Sequence, residues 1–357
     1  MQTELIMQIS QSPRFAIYGA QVVAYGLYVA LRSLINKTPE CFIVSKIEGN
    51  PPNIDEIFVR SLENCDLEKD TLILVATTEL LQDEICVILE NSGFCNYLRL
   101  GACEEHLLMS KYFSSIGRFP LLSGSASGAT CDFAMYEAKS HCDKPLLNIP
   151  ALKSWERSIQ AGADITDMRI APLLDNTGEN ISAKNKMYSE MTATFWVWKN
   201  TNHDWKGICH YRRHLKLNDE QISALADGNA DAILPLPYLC FPNTFTQFQR
   251  FVSEAVKNTL LQSLQKLHPD KYEQYLSILN GQYQYTYNLL AAKRKVFDEY
   301  CAWAFEILEN MERSIDAVPE IATTRALSYA AEVLTSLYFL SNSDKLNIRH
   351  VEKEIFT

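Results

Sequence analysis

No apolar run in the sequence approaches the roughly 20 residues of a membrane-spanning helix, so a helical span is excluded. The opening Met1-Gln2-Thr3-Glu4 has no basic segment leading into an apolar core of signal-peptide length, and export is not expected. Ten cysteines are present without a CxxC pair. The one CxxH spacing, Cys103 to His106, has no second ligand pair near it, so neither a zinc site nor a disulfide framework is signalled. Reduced thiols in a cytoplasm are the simplest reading, and Cys209 is read as a small buried hydrophobe. Excess positive charge is also missing. The formal net charge is -10, which excludes the broad basic surface that a nucleic-acid partner requires.

What remains is a globular balance, with 47% hydrophobic and 21% charged residues over 357 positions, enough for two cores. Arg14 to Ile17 reads as a strand that runs through Tyr18-Gly19-Ala20-Gln21 into a helix. Further strands are expected at Cys41 to Val44, Leu72 to Ala76 and Tyr97 to Leu100, with a helix from Leu80 to Asn91 closed by Gly93. Alternating strands and helices imply a parallel sheet, so residues 13–112 form a Rossmann-like domain. Gln21 stands where a dinucleotide fingerprint has its second glycine, and the second strand ends in Ser45 without an acid for a ribose. The domain is therefore read as accessory, a pairing surface for a second copy or for assembly partners. Glycines, Pro120 and interleaved serines mark residues 113–130 as a linker, and residues 131–357 as the second domain. Its later part is helix-rich: Phe248 to Leu267, Arg294 to Met311 and Ile321 to Tyr338 carry apolar residues at helical spacing.

Chemistry concentrates between Asp175 and Arg213. Turn formers from Asp175 to Asn180 lead into an expected helix capped by Asn180 or Ser182, which carries Tyr188, Glu190, Thr194, Trp196, Trp198 and Lys199. Met191, Phe195 and Trp198 give it a packing side. Asp204 to Cys209 then reads as a strand ending in His210-Tyr211-Arg212-Arg213. Ligands bind outside the carboxyl ends of strands in open α/β sheets, and paired guanidinium forks match phosphate oxygens. On spacing alone, a solvated helix with an exposed Glu190 and a solvated basic turn remain alternatives.

Asn180-Ile181-Ser182, Asn185, Glu190-Met191-Thr192, Trp196-Val197-Trp198-Lys199-Asn200 and Gly207-Ile208-Cys209-His210-Tyr211-Arg212-Arg213 together resemble the signature of a family of capsular and exopolysaccharide glycosyltransferases long described as a domain of unknown function. The resemblance extends through Asp231 to Pro235, Tyr287-Asn288, Phe297 to Cys301 and Glu332, and covers about residues 132–351. His141 and Lys144 resemble its first-strand His-Lys pair with two residues inserted. The resemblance implies a GT-A-like fold, a nucleotide-sugar donor and a saccharide or lipid-linked saccharide acceptor at the inner face of the plasma membrane. Some members are similar to β-galactofuranosyltransferases. The chain departs from the family at Ser328-Tyr329 and Glu332-Val333, where an aromatic or Gly-Phe entry and a Glu-Arg pair are usual.

The expected architecture is thus α/β, a Rossmann-like parallel sheet followed by a GT-A-like glycosyltransferase domain with a helix-rich end. No DxD stands here. Asp227-Gly228-Asn229 reads as a turn into the strand that starts near Asp231. His210, Arg212 and Arg213 are expected to neutralise the leaving diphosphate of a UDP-sugar without a cofactor, a divalent Mg or Mn ion being the alternative. Glu190 is the first candidate base for an inverting transfer, with Asp175, Asp231 and Glu332 behind it. Asp175, Asn180, Lys199, Tyr211 and Asn288 complete the expected donor-binding set. The rival readings are a non-catalytic organiser of polysaccharide assembly and an NAD-dependent sugar-modifying enzyme.

Overall fold

The computed structural model describes residues 2–124 and 130–356. Part of the expected 113–130 linker, residues 125–129, lies outside them. Two units are distinguished: Met1–Phe119 with Tyr238–Asn243, and Pro120–Pro237 with Thr244–Thr357.

In the first unit, helix α1 (Gln2–Gln11) precedes β1 (Phe15–Tyr18), α2 (Val22–Ile35), β2 (Phe42–Val44), β3 (Asn53–Ile54), β4 (Ile57–Ser61), β5 (Leu72–Val75), α3 (Glu79–Asn91), β6 (Tyr97–Arg99) and α4 (Ala102–Ser115). The sheet order is β3-β4-β2-β1-β5-β6, parallel apart from the β3–β4 hairpin. Strands β1, β2 and β5 are continuous apolar runs buried at every position, as in sheets covered on both faces. The hairpin and α4 were not read from sequence, because Asn53 to Ser61 mixes Asp, Glu and Arg into a short apolar pattern. Helix α4 also shows that the expected linker began inside a helix. At the turn after β1, Gln21 does more than replace a glycine. Its Nε2 donates to Asn50 Oδ1 at 2.6 Å, tying down the loop mouth.

The second unit carries β7 (Phe133–Lys139), β8 (Glu156–Gln160), β9 (Leu173–Leu174), α5 (Asn185–Tyr188), α6 (Met191–Asn200), β10 (Trp205–His210), β11 (Arg213–Leu215), α7 (Asp219–Leu225) and β12 (Ala232–Pro235). Strand β13 (Tyr238–Leu239) belongs to the first unit's segment. There follow α8 (Thr244–Phe248), α9 (Glu254–Leu267), α10 (Tyr272–Leu279), β14 (Tyr283–Gln284), β15 (Leu290–Lys293), α11 (Arg294–Glu312), α12 (Glu320–Thr323), α13 (Ala326–Ser341), β16 (Ile348–Val351) and β17 (Lys353–Ile355). Its sheet has the order β16-β12-β15-β10-β7-β8-β9, with β15 antiparallel to both neighbours. Strands β8, β7 and β10 run parallel in register, His210 beside Ala138 and Ala138 beside Ile159, so the loops after all three emerge at one edge. Close pairing in the middle of the sheet needs Gly207, where a Cβ would lie 2.6 Å from Leu290 O.

Three expected helices depart from their expected bounds. The stretch after Asn180 forms a short 3-10 turn, then α5, then stops at Ser189, whose φ of 47° lies in the left-handed region, before α6 begins. Glu190 consequently occupies the N-cap position of α6 and not a helix face. Asn180 and Ser182 cap no helix: Asn180 Oδ1 accepts from Ser182 N, and Ser182 Oγ donates to Asp175. The expected Phe248 to Leu267 helix starts late, Phe248 closing α8 and α9 following from Glu254 with Ser253 Oγ as its cap, and the expected Ile321 to Tyr338 helix divides into α12 and α13. Val296, Phe297, Tyr300, Ala304 and Leu308 form the buried face of α11, while Trp303, expected on the same face, is only partly buried.

A candidate active site at the ends of β7, β8 and β10

The three parallel strand ends and the α5–α6 break enclose a cavity of about 610 Å³. Lys139 to Lys144 enter from β7, Ala161 and Ile165 from beyond β8, and His210 to Arg213 from β10. Asn185, Lys186, Ser189 and Glu190 close one side, and Arg325 reaches in from the N-cap of α13. Arg212, Arg213, Arg325, Lys139, Lys144 and Lys186 face only two carboxylates, Asp143 and Glu190, so the cavity favours an anion.

Glu190 is held unevenly. Its Oε1 accepts from Asn288 Nδ2 at 2.8 Å and from Ser328 Oγ at 3.0 Å. Oε2 has Arg325 as its partner, at 3.7 Å. Asn288 reaches it from a left-handed pair, Tyr287 and Asn288, with φ of 70° and 50°. The guanidinium groups are carried on aromatic rings: Arg213 lies 3.9 Å from the Tyr287 ring centroid and Arg212 lies 5.0 Å from that of Tyr211. The buried Nε atoms of Arg212 and Arg213 have no hydrogen-bond partner among the described residues. Such donors await an acceptor.

His210 lines the cavity beside this pair. Burial, reinforced by Arg213, Arg325 and Arg212 against the opposing pull of Glu190, holds its imidazole down to about 4. It is therefore neutral near pH 7 and adds no charge toward a phosphate. Its Nδ1 accepts from Arg212 N at 3.3 Å, which leaves the ring proton on Nε2. Burial also raises Asp143, whose Oδ2 accepts from Ser140 N, and raises Tyr211.

Of the other sequence candidates, Asn288 joins the site through Glu190. Glu332 on α13 does not line the cavity, but burial and the nearby Glu190 charge push its carboxyl up to about 8. Asp175, Asn180, Lys199 and Asp231 are elsewhere. The fully buried Asp175 carboxylate accepts from Gly162 N at 2.8 Å, Ala163 N at 3.0 Å and Ser182 Oγ at 2.5 Å, and so pins the turn after β8. Gly162 takes φ of 74° there, with Asn185 too close for any Cβ. Asn180 closes a local turn. Lys199 lies 3.8 Å from the Trp198 ring centroid and pairs with Glu179. Asp231 precedes β12 at the opposite sheet edge, paired with Lys293 at 2.8 Å and accepting from Asn347 N. Neither Asp175 nor Asp231 is placed to act as a base in this cavity.

Lys139, Asp143, Ser189 and Arg325 were not identified from sequence. For Lys139 and Arg325 the signal was weak, a lone cation after a strand and another before a helix. A buried ionic network beneath the cavity was also missed. His214 Nδ1 lies 2.9 Å from Glu156 Oε1, its Nε2 lies 3.6 Å from Glu137 Oε1, and Lys139 Nζ lies 2.9 Å from Glu137 Oε2. Against the opposing effect of burial, bonds to Cys209, Glu137 and Glu156 push His214 up to about 12, while His214 holds both glutamates down. Glu156, Cys209 and His214 approach one another closely enough for a metal ion, within 4.8 Å. The charges of His214 and Lys139 balance those of Glu137 and Glu156, while His214 Nε2 and Glu137 Oε1, 3.6 Å apart, have no hydrogen-bond partner among the described residues.

A family model described as "Domain of unknown function (DUF4422)" matches residues 147–343. None of the curated proteins compared with the sequence matches it. Among solved structures, the "WbbM bifunctional glycosytransferase apo structure" is similar, with a TM-score of 0.54 and 22% identity, over 63% of this chain and 45% of that chain. The chain thus spans less than half of that structure. At this identity the likeness concerns the fold alone, an α/β architecture built on largely parallel sheets.

Proposed function

The chain belongs to the DUF4422 family, and from that premise we propose that it is a glycosyltransferase that moves a sugar from a nucleoside-diphosphate donor, UDP-linked, to a saccharide or lipid-linked saccharide of a growing surface polysaccharide. The observation that carries this reading is the division of the cavity. One wall is the guanidinium pair Arg212 and Arg213, and the other is a carboxylate whose Oε1 is fixed by Asn288 and Ser328 while Oε2 is less engaged.

In the proposed reaction the bond from the anomeric carbon to the donor phosphate oxygen breaks and that oxygen leaves with the electron pair. Arg212 and Arg213 stabilise its charge, and His210 adds a neutral hydrogen-bond donor through Nε2. The acceptor hydroxyl oxygen forms the new bond to the anomeric carbon with inversion, and its proton passes to Glu190 Oε2. No described helix is long and apolar enough to cross a membrane, and the proposed setting is the cytoplasmic face, where a lipid-linked acceptor is within reach.

Hydrolysis and transfer assays with UDP-, GDP- and dTDP-sugars, with and without EDTA, test the reading. Donor turnover is expected with one of them, and Arg212→Ala is expected to lower it by about 100- to 1000-fold with an unchanged melting temperature, the scale of losing one donor to a developing charge. Normal transfer by that variant refutes the phosphate role. UDP binding without any turnover supports instead a non-catalytic organiser.

A further inference from the structure

Among the described residues, Arg325 is the guanidinium of the cavity that contacts the candidate base. It precedes α13, and its side chain is 56% exposed, whereas that of Glu190 is 12% exposed. Its Nε donates to Ser189 Oγ at 2.8 Å, and its terminal nitrogen stands 3.7 Å from Glu190 Oε2, too long for a good hydrogen bond. Ser189 is the left-handed residue between α5 and α6, so this contact sits on the backbone break that presents Glu190. Because Asn288 and Ser328 both take Oε1, Arg325 covers the oxygen that an acceptor hydroxyl would need.

Resting on the glycosyltransferase reading above, we propose that Arg325 is a two-position guanidinium: in the empty cavity it shields Glu190 Oε2, and the diphosphate of an incoming donor draws it across to join Arg212 and Arg213, uncovering Oε2 for the acceptor. Three features support this. A long, half-exposed ion pair holds only weakly in water, while a diphosphate offers several charged acceptors at once. Arg325 lines the same cavity as the arginine pair and contributes to the electrostatics at His210, Asp143 and Glu332. Position 333, beside Glu332, is a buried valine, and Arg325 at the N-cap of α13 is the arginine that lines the cavity there. Donor would then bind before acceptor, and the base would be exposed only when there is a sugar to transfer.

The test uses the full chain. Calorimetry with UDP and with inorganic pyrophosphate measures the diphosphate contact, and steady-state kinetics with varied donor and acceptor measure the coupling. Arg325→Gln is expected to weaken both ligands and raise the donor KM by about 10- to 100-fold, the range for one charge-assisted hydrogen bond, with the melting temperature unchanged. Arg325→Lys should recover part of the donor affinity. In the wild type, saturating UDP should tighten acceptor binding, and Arg325→Gln should abolish that coupling. Wild-type turnover combined with a donor KM and coupling within twofold in Arg325→Gln overturns the switch and leaves the glycosyltransferase reading standing. A wild type that binds neither ligand and turns over no nucleotide sugar overturns both.

Discussion

Replacing His214 by Gln should be among the most destabilising single changes in the second unit. The imidazole is 3% exposed and lies between Glu156 and Glu137, whose side chains are 5% and 0% exposed. Glutamine can keep one hydrogen bond but not the positive charge. Two buried carboxylates are then left with Lys139, Ser158 Oγ and the Lys153 amide as their remaining partners. Removing one member of a buried ion cluster costs about 3–5 kcal/mol. For a unit of roughly 230 residues, about 2 °C of melting temperature per kcal/mol gives a drop of about 6–10 °C. The sign with pH follows from the native imidazole keeping its proton up to about 12, while an unfolded histidine loses it near 6.5. Above that lower value the native state binds one more proton than the unfolded state, so wild-type stability falls by about 1.4 kcal/mol per pH unit from this group. The stabilisation is complete below pH 6.5 and declines as pH rises. Differential scanning calorimetry of both proteins from pH 8 to 10 should therefore show the gap between them narrowing. A gap below about 2 °C at about pH 6.5, where the stabilisation is complete, or one that does not change from pH 8 to 10, would refute the buried imidazolium.

Glu190→Gln should lower kcat for transfer by about 100- to 10,000-fold with little change in donor affinity, measured by steady-state kinetics and UDP calorimetry; an equal loss of affinity would place Glu190 in binding. Asp175→Ala should destabilise by about 2–4 kcal/mol in urea melts, because the Gly162 and Ala163 amides and the Ser182 hydroxyl lose their acceptor together. Glu332→Gln should remove a pH dependence. The native carboxyl holds its proton up to about 8 and the unfolded one to the usual 4.5, so this group's stabilisation is present below pH 4.5 and lost through pH 8. Stability of the variant that still declines with the wild-type slope in that window would contradict the assignment.

Sequence alone determined the elements whose periodicity is strong. The apolar runs of β1, β2 and β5 and the stripe from Val296 to Leu308 could be read directly, because a fully buried strand and an amphipathic helix each impose their own spacing. The segment Gly207 to Arg213 could be read as a strand end crowded with donors, because that placement depends on local order alone. Tertiary structure decided the rest. The left-handed Ser189 made Glu190 a cap residue, something no propensity scale encodes. Whether an acid faces a cavity or a backbone turn depends on strands distant in sequence: Asp175 meets the Gly162 amide, Asp231 meets Lys293, and Glu190 alone meets Asn288, Ser328 and Arg325. The charge of a histidine is equally a matter of neighbours. His210 and His214 stand four residues apart, yet burial beside guanidinium groups lowers one while hydrogen bonds to buried carboxylates raise the other.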